Sequence, residues 1–111
     1  MDGNTLQMYR RMLFLTVAEA VAHIQTSEGK PLNARKWQRI EKGETAVPDD
    51  VAFEIKVLVQ GYFRLLNACK PVAYYRTIEE YFADYPSGDF VDWRVRQAVA
   101  SAKQMLRYVP R

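Results

Sequence analysis

The chain has 111 residues, 49% of them apolar and 13% aromatic, which is enough for a globular core without covalent or metal staples. One cysteine, Cys69, and one histidine, His23, exclude an internal disulfide and a four-ligand metal site, so the composition points to a reducing compartment and no metal. A net charge of +3 and a pI near 9.1 admit a polyanionic partner without requiring one.

Residues 4–14 carry Leu6, Tyr9, Met12 and Leu13 at helical spacing, with Asn4 or Thr5 as the expected cap. Thr16-Val17-Ala18-Glu19 fits a capping box and opens a second helix whose apolar side is Val17, Ala20, Val21 and Ile24. The polar run of residues 26–32, with Gly29 and Pro31, reads as a loop. Asn33 caps a third helix to Lys42, and Gly43 stands where a left-handed C-terminal cap is wanted.

Pro48 suits the first turn of a fourth helix, Asp49 and Asp50 favour its dipole, and the helix is expected to run to about Cys69. Val51, Ile55, Leu58, Tyr62 and Leu65 make one stripe on it; Phe53, Val57 and Phe63 make a second, more than the N-terminal helices can cover. Gly61 weakens the interior by roughly 1 kcal/mol of propensity.

Lys70-Pro71 ends that helix, and the Val and Tyr content of residues 72–76 reads as a short strand. Nothing else in the chain offers it a partner, so pairing with the same segment of a second copy is expected. Thr77-Ile78-Glu79-Glu80 is another capping box, opening a short helix through Tyr85. Asp89 caps a last helix to about Tyr108, with Val91, Val95, Ala98, Ala102 and Met105 on one face beside Phe90 and Trp93.

The expected fold class is therefore mainly α: an N-terminal five-helix-type helix-turn-helix head with a long fourth helix, then a strand paired across a two-fold and C-terminal helices. Residues 1–69 form the head and residues 70–111 the dimerisation region. Apolar runs fall short of the roughly 20 residues a membrane span needs, and Met1-Asp2-Gly3-Asn4 lacks the basic start of a signal peptide. A cytoplasmic location is expected.

Charge is local. Residues 1–60 hold eight basic and eight acidic groups, yet from Lys30 to Lys42 five basic residues face only Glu41. At 100° per residue, Ala34, Trp37, Ile40 and Glu41 fall on one side of the third helix. Arg35, Arg39 and Lys42 cluster opposite, flanked by Lys36 and Gln38. Arginine reads guanine bidentately, glutamine reads adenine, and lysine or a helix N-terminus holds phosphate. An isolated polar face is ordinarily just solvated. Here a short capped helix precedes it and a first helix braces the pair, as in a helix-turn-helix. Arg35, Gln38 and Arg39 are expected to read bases; Asn33, Lys36 and Lys42, with Lys30 beside them, are expected to hold phosphates.

Leu6-Gln7-Met8-Tyr9-Arg10, Leu15-Thr16 and Ile40-Glu41-Lys42-Gly43 resemble the head of Cro/Xre-type repressors. That resemblance implies an ion pair between Arg10 and Glu41 tying the first helix to the third. Val17 departs from the pattern, standing where those repressors usually carry a backbone-gripping Gln, and the loop of residues 26–32 is longer than their tight turn. Over nearly the whole chain, Ala34-Arg35-x-Trp37-Gln38, Glu41-x-Gly43, Val47-Pro48-Asp49-Asp50-Val51, Glu80-Tyr81-x-Ala83-Asp84-x-Pro86 and Trp93-Arg94-x-x-Gln97-x-Val99-Ala100 resemble the second type of anti-CRISPR-associated repressors and the YdiL-like regulators. What this resemblance implies is a homodimer that binds an inverted repeat in its own promoter and represses transcription, with Arg35 and Gln38 as base readers.

Two rival readings stay open: an antitoxin-type subunit that binds a partner protein and represses its own operon, and an RNA binder in which the long loop spoils groove entry. An enzyme is not expected, since no triad, metal set or phosphate loop occurs, and Asp49-Asp50 and Glu79-Glu80 sit in first helical turns where acids suit the dipole. No cofactor or small-molecule effector is expected. His23 is read as a packing or capping residue, Cys69 as a small buried hydrophobe, Tyr74 and Tyr75 as strand residues, and Trp93 as a core or interface anchor.

Overall fold

The computed structural model describes residues 1–107. These form six α-helices: α1 (Gly3–Met12), α2 (Val17–His23), α3 (Ala34–Glu41), α4 (Asp49–Asn67), α5 (Ile78–Asp84) and α6 (Phe90–Arg107). The chain divides into two compact units, Met1–Val59 and a second beginning at Gln60, and the boundary falls within α4. The expected end of the last helix at Tyr108 and the Met105 side chain lie outside the described residues.

In the first unit α3 packs on both α1 and α2. Leu6, Leu13, Ile24, Trp37, Val51 and Ile55 are fully buried there. Each such side chain contributes about 1.5–3 kcal/mol relative to exposure. The cap of α1 is Asp2, ahead of the expected Asn4 or Thr5; its carboxylate accepts from the Thr5 N–H at 2.7 Å. The helix starts early because Gly3, buried, lies against the C-terminal carbonyls of α3, where a Cβ would overlap the Ile40 carbonyl oxygen and stand 2.9 Å from that of Glu41.

Between α1 and α2 the chain reverses through Phe14 at φ 62°, and the Leu15 N–H closes on the Arg10 carbonyl at 3.1 Å. The Thr16 capping box forms in both directions, with Glu19 N–H to Thr16 Oγ1 at 3.1 Å and Thr16 N–H to Glu19 Oε1 at 3.0 Å. Pro48 immediately precedes α4 rather than lying in its first turn, and the helix ends at Asn67, two residues short of the expected Cys69. Cys69 itself is exposed, correcting its reading as a buried hydrophobe. Of the first stripe of α4, Val51, Ile55 and Tyr62 are buried and Leu58 and Leu65 half-buried, while Val59, outside that stripe, is buried as well. The second is in water, with Phe53 72%, Val57 48% and Phe63 45% exposed.

In the second unit α5 packs on α6. Thr77 Oγ1 accepts from the Glu80 N–H at 3.3 Å, and Asp89 and Asp92 exchange bonds at the start of α6, with Asp92 N–H to Asp89 Oδ1 at 2.8 Å. Tyr81, Val91, Trp93, Val95, Ala98, Val99 and Ala100 make the core.

The expected strand is absent: no strand occurs among the described residues, and 72–76 carry no ladder. The Tyr75 carbonyl, which a partner strand would have taken, accepts instead from Trp93 Nε1 at 2.8 Å and Gln97 Nε2 at 2.9 Å. The Tyr75 ring stands edge-on to Tyr81 and Tyr85, and its hydroxyl donates to Asp84 at 2.7 Å. Val and Tyr favour a half-buried pleated surface, and here two helices provide the burial without a second strand. The reason for pairing this segment across a two-fold disappears with it.

Candidate nucleic-acid interface

Helix α3 is anchored by its inner face and closed by caps at both ends. Asn33 Oδ1 accepts from the Lys36 N–H at 2.8 Å, satisfying one of the orphan donors of the first turn. On the inner face Trp37, Ile40 and Glu41 are buried. Glu41 receives both prongs of the Arg10 guanidinium, Nε at 2.7 Å and Nη2 at 3.0 Å, while Arg10 Nη1 donates to the Leu15 carbonyl at 3.0 Å. The pair that the repressor resemblance implied is therefore present. Trp37 Nε1, four residues back on the same face of the helix, adds a third donor to Glu41 at 2.6 Å. One carboxylate thus fixes α3 against α1 and against the turn leading into α2.

The opposite face is open. Arg35, Gln38, Arg39 and Lys42 are exposed, and with Glu44 they line one shallow depression. Arg35 and Arg39, and Gln38 and Lys42, are spaced four apart and so stand as neighbours along the helix. Asn33, Lys36 and Lys30 are not part of that depression. Asn33 spends its oxygen on the cap, and half-buried Lys36 turns its ammonium back to the Pro31 carbonyl at 3.2 Å. Lys30 is exposed in the loop that precedes the helix.

That loop, residues 24–33, is tied down at two points. Gln25 bridges its base, donating to the Val21 and Leu32 carbonyls and accepting from the Leu32 N–H, all at 2.9 Å. Asp50, in the first turn of α4, accepts from Thr26 Oγ1 at 2.8 Å, from the Ser27 N–H at 2.7 Å and from Ser27 Oγ at 3.0 Å. The Ser27 amide bond, foremost among these, holds the Asp50 carboxyl below the usual carboxylate range. The dipole argument placed Asp50 in a first turn, and the loop partners came from a segment 23 residues away.

Sequence reasoning missed Glu44. At the C-terminus of α3, Gly43 adopts φ 83°, its N–H donates to the Ile40 carbonyl and the Glu44 N–H to the Arg39 carbonyl, each at 3.0 Å. This is the Schellman closure, and it sets the residue after the glycine beside the last turn. Glu44 Oε2 accepts from Arg39 Nε at 3.1 Å. Reading Gly43 as a left-handed cap already implied that position for Glu44.

No group of three or more acidic, His or Cys side chains is arranged to hold a metal among the described residues, and no helix there is long and apolar enough to cross a membrane. A family model described as Aca2/YdiL-like matches residues 1–106. The Aca2 repressor of Pectobacterium phage ZF40 is 36% identical over 110 residues, which cover 91% of this chain and 90% of that protein. The uncharacterized protein YdiL of Escherichia coli (strain K12) is 25% identical over 112 residues, 91% of each.

Proposed function

The chain belongs to the Aca2/YdiL-like family, and from that premise we propose that it is a transcriptional repressor that acts as a homodimer on duplex DNA. The observation that carries this reading is the two-sidedness of α3, whose Trp37, Ile40 and Glu41 anchor it while Arg35, Gln38, Arg39 and Lys42 stand together in solvent. A helix held in this way presents long donors to a major groove at no cost to its own packing. Arg35, Gln38 and Arg39 read base edges; Lys42, Lys36, Lys30 and the free amide nitrogen of Asn33 hold phosphates. The operator is an inverted repeat with half-sites about 34 Å apart, one turn of duplex, and lies in the protein's own promoter. Support for pairing comes from the apolar surface left in water, Phe53 foremost at 72% exposed. Similarity to a repressor over nine-tenths of both chains supports the direction of regulation.

The test is selection of duplexes from a randomised library by the full chain, followed by shift assays on the selected duplex. An inverted repeat is expected, and Arg35→Ala is expected to lose preference for it while sedimenting like the wild type. Unchanged affinity of Arg35→Ala for the selected duplex, or no sequence preference in the wild type, overturns the reading. Lys36→Ala is expected to weaken all duplexes alike and to lower the salt slope by about one unit.

A further inference from the structure

The depression lined by Arg35, Gln38, Arg39 and Lys42 contains one carboxylate, that of Glu44, to which the proposed function gives no part. Its place there is built rather than incidental. The left-handed Gly43 turns the chain back over the end of α3, the Glu44 amide is fastened to the Arg39 carbonyl, and the Glu44 carboxylate meets the Arg39 guanidinium at 3.1 Å. Both side chains stay about half exposed, 56% and 52%, so the pair is within reach of anything that docks on this face.

Two consequences follow for an approaching duplex. Glu44 occupies only Nε of Arg39, and the two terminal nitrogens, which bond no acceptor among the described residues, remain for outward partners. Guanine in the major groove asks for two parallel donors at O6 and N7, which those nitrogens supply. A backbone phosphate arriving at the same spot meets the Glu44 charge. Generic duplex binding consists almost wholly of phosphate contacts and bears that repulsion in full, whereas a base-reading complex directs Arg39 to an uncharged edge.

We propose that Glu44 is a specificity-determining residue of this face, which orients the Arg39 fork toward base edges and penalises binding through phosphates alone. The inference rests on reading α3 as a duplex-binding helix.

Full-length wild type, Glu44→Gln, Glu44→Asp and the charge-matched control Glu79→Gln, from an exposed position in the second unit, are compared on two probes. The first is the duplex that the wild type enriches from a randomised library; the second is the unselected pool, and each is titrated over a salt series. Glu44→Gln is expected to bind the pool about three- to fivefold more tightly. Its salt slope on the pool should steepen by up to about one unit. Its preference for the selected duplex is expected to fall correspondingly, while Glu44→Asp keeps the penalty on the pool and Glu79→Gln moves both affinities together. An unchanged preference in Glu44→Gln, an equal loss in Glu44→Asp, or an equal loss in Glu79→Gln overturns the inference while leaving the DNA reading standing. Failure of the wild type to enrich any duplex is the separate result that removes both.

Discussion

Arg10 and Glu41, 31 positions apart, meet as a buried two-pronged ion pair with Nε–Oε2 at 2.7 Å and Nη2–Oε1 at 3.0 Å. The remaining Arg10 nitrogen holds the Leu15 carbonyl, and the same Glu41 takes the Trp37 indole N–H. Three segments of the first unit, α1, the turn at Leu15 and α3, therefore share one polar knot in which every side-chain nitrogen of Arg10 and both Glu41 oxygens have a partner. Its value lies in geometry: a buried pair gains little over an apolar substitute, but a broken one strands a charge.

Arg10→Leu is accordingly expected to destabilise the protein by about 3–5 kcal/mol, because it leaves Glu41 buried with only the indole as donor. Glu41→Gln, which keeps an acceptor for Trp37 and for Arg10, is expected to cost less. Urea unfolding of both variants checks the order. Equal losses would show that the stranded charge decides the cost and that the retained acceptor does not offset it.

Two glycines separate close approach from open space. Gly3→Ala would drive a methyl into the Ile40 carbonyl, so α1 and α3 must part, at a cost of about 1–3 kcal/mol. Gly61→Ala, in the interior of α4 with nothing near the added carbon, is expected to stabilise by about 0.5–1 kcal/mol. Thermal melts should therefore shift in opposite directions for the same chemical change.

Asp50 gives the loop an acid sensitivity of known sign. Its folded carboxyl lies below the ordinary value of 3.8, chiefly through the Ser27 amide, so its contribution is fully present above that value and is lost as pH falls through the folded pKa. Asp50→Asn is expected to flatten that part of the acid limb of a stability profile. Hydrogen exchange at the Ser27 amide should rise in the variant at neutral pH, and unchanged protection there would contradict the clamp.

At the alkaline end the sign reverses. Tyr75 donates to Asp84, and that bond, ahead of desolvation, pushes its phenol from 10.0 up to about 12. The unfolded chain then loses the proton first, so the contribution is intact below pH 10.0 and fades as pH rises through about 12. Tyr75→Phe is expected to remove that slope and to delete a late-titrating tyrosinate from the ultraviolet absorbance titration.

Most of the helices were legible because their signals are short-ranged. Thr16 and Glu19, Asn33 and Lys36, Thr77 and Glu80, and Asp89 and Asp92 each meet three residues apart, and a cap is settled within one turn. The two faces of α3 were legible in the same way, from the spacing of Trp37 and Ile40 against Arg35, Arg39 and Lys42. The strand reading failed for the opposite reason. Residues 72–76 have strand-forming side chains, but the donors that claim the Tyr75 carbonyl lie 18 and 22 positions on, in α6.

From the order of its residues alone, this chain determines where α2, α3, α5 and α6 begin, which face of α3 is apolar and where its positive charge collects, since all three depend on neighbours within about one helical turn. Only the tertiary structure decided that Gly3 admits α3, that Asp50 ties down the loop, and that α6 supplies the partners of an extended segment. Each of those outcomes depends on a partner that packing alone brings near.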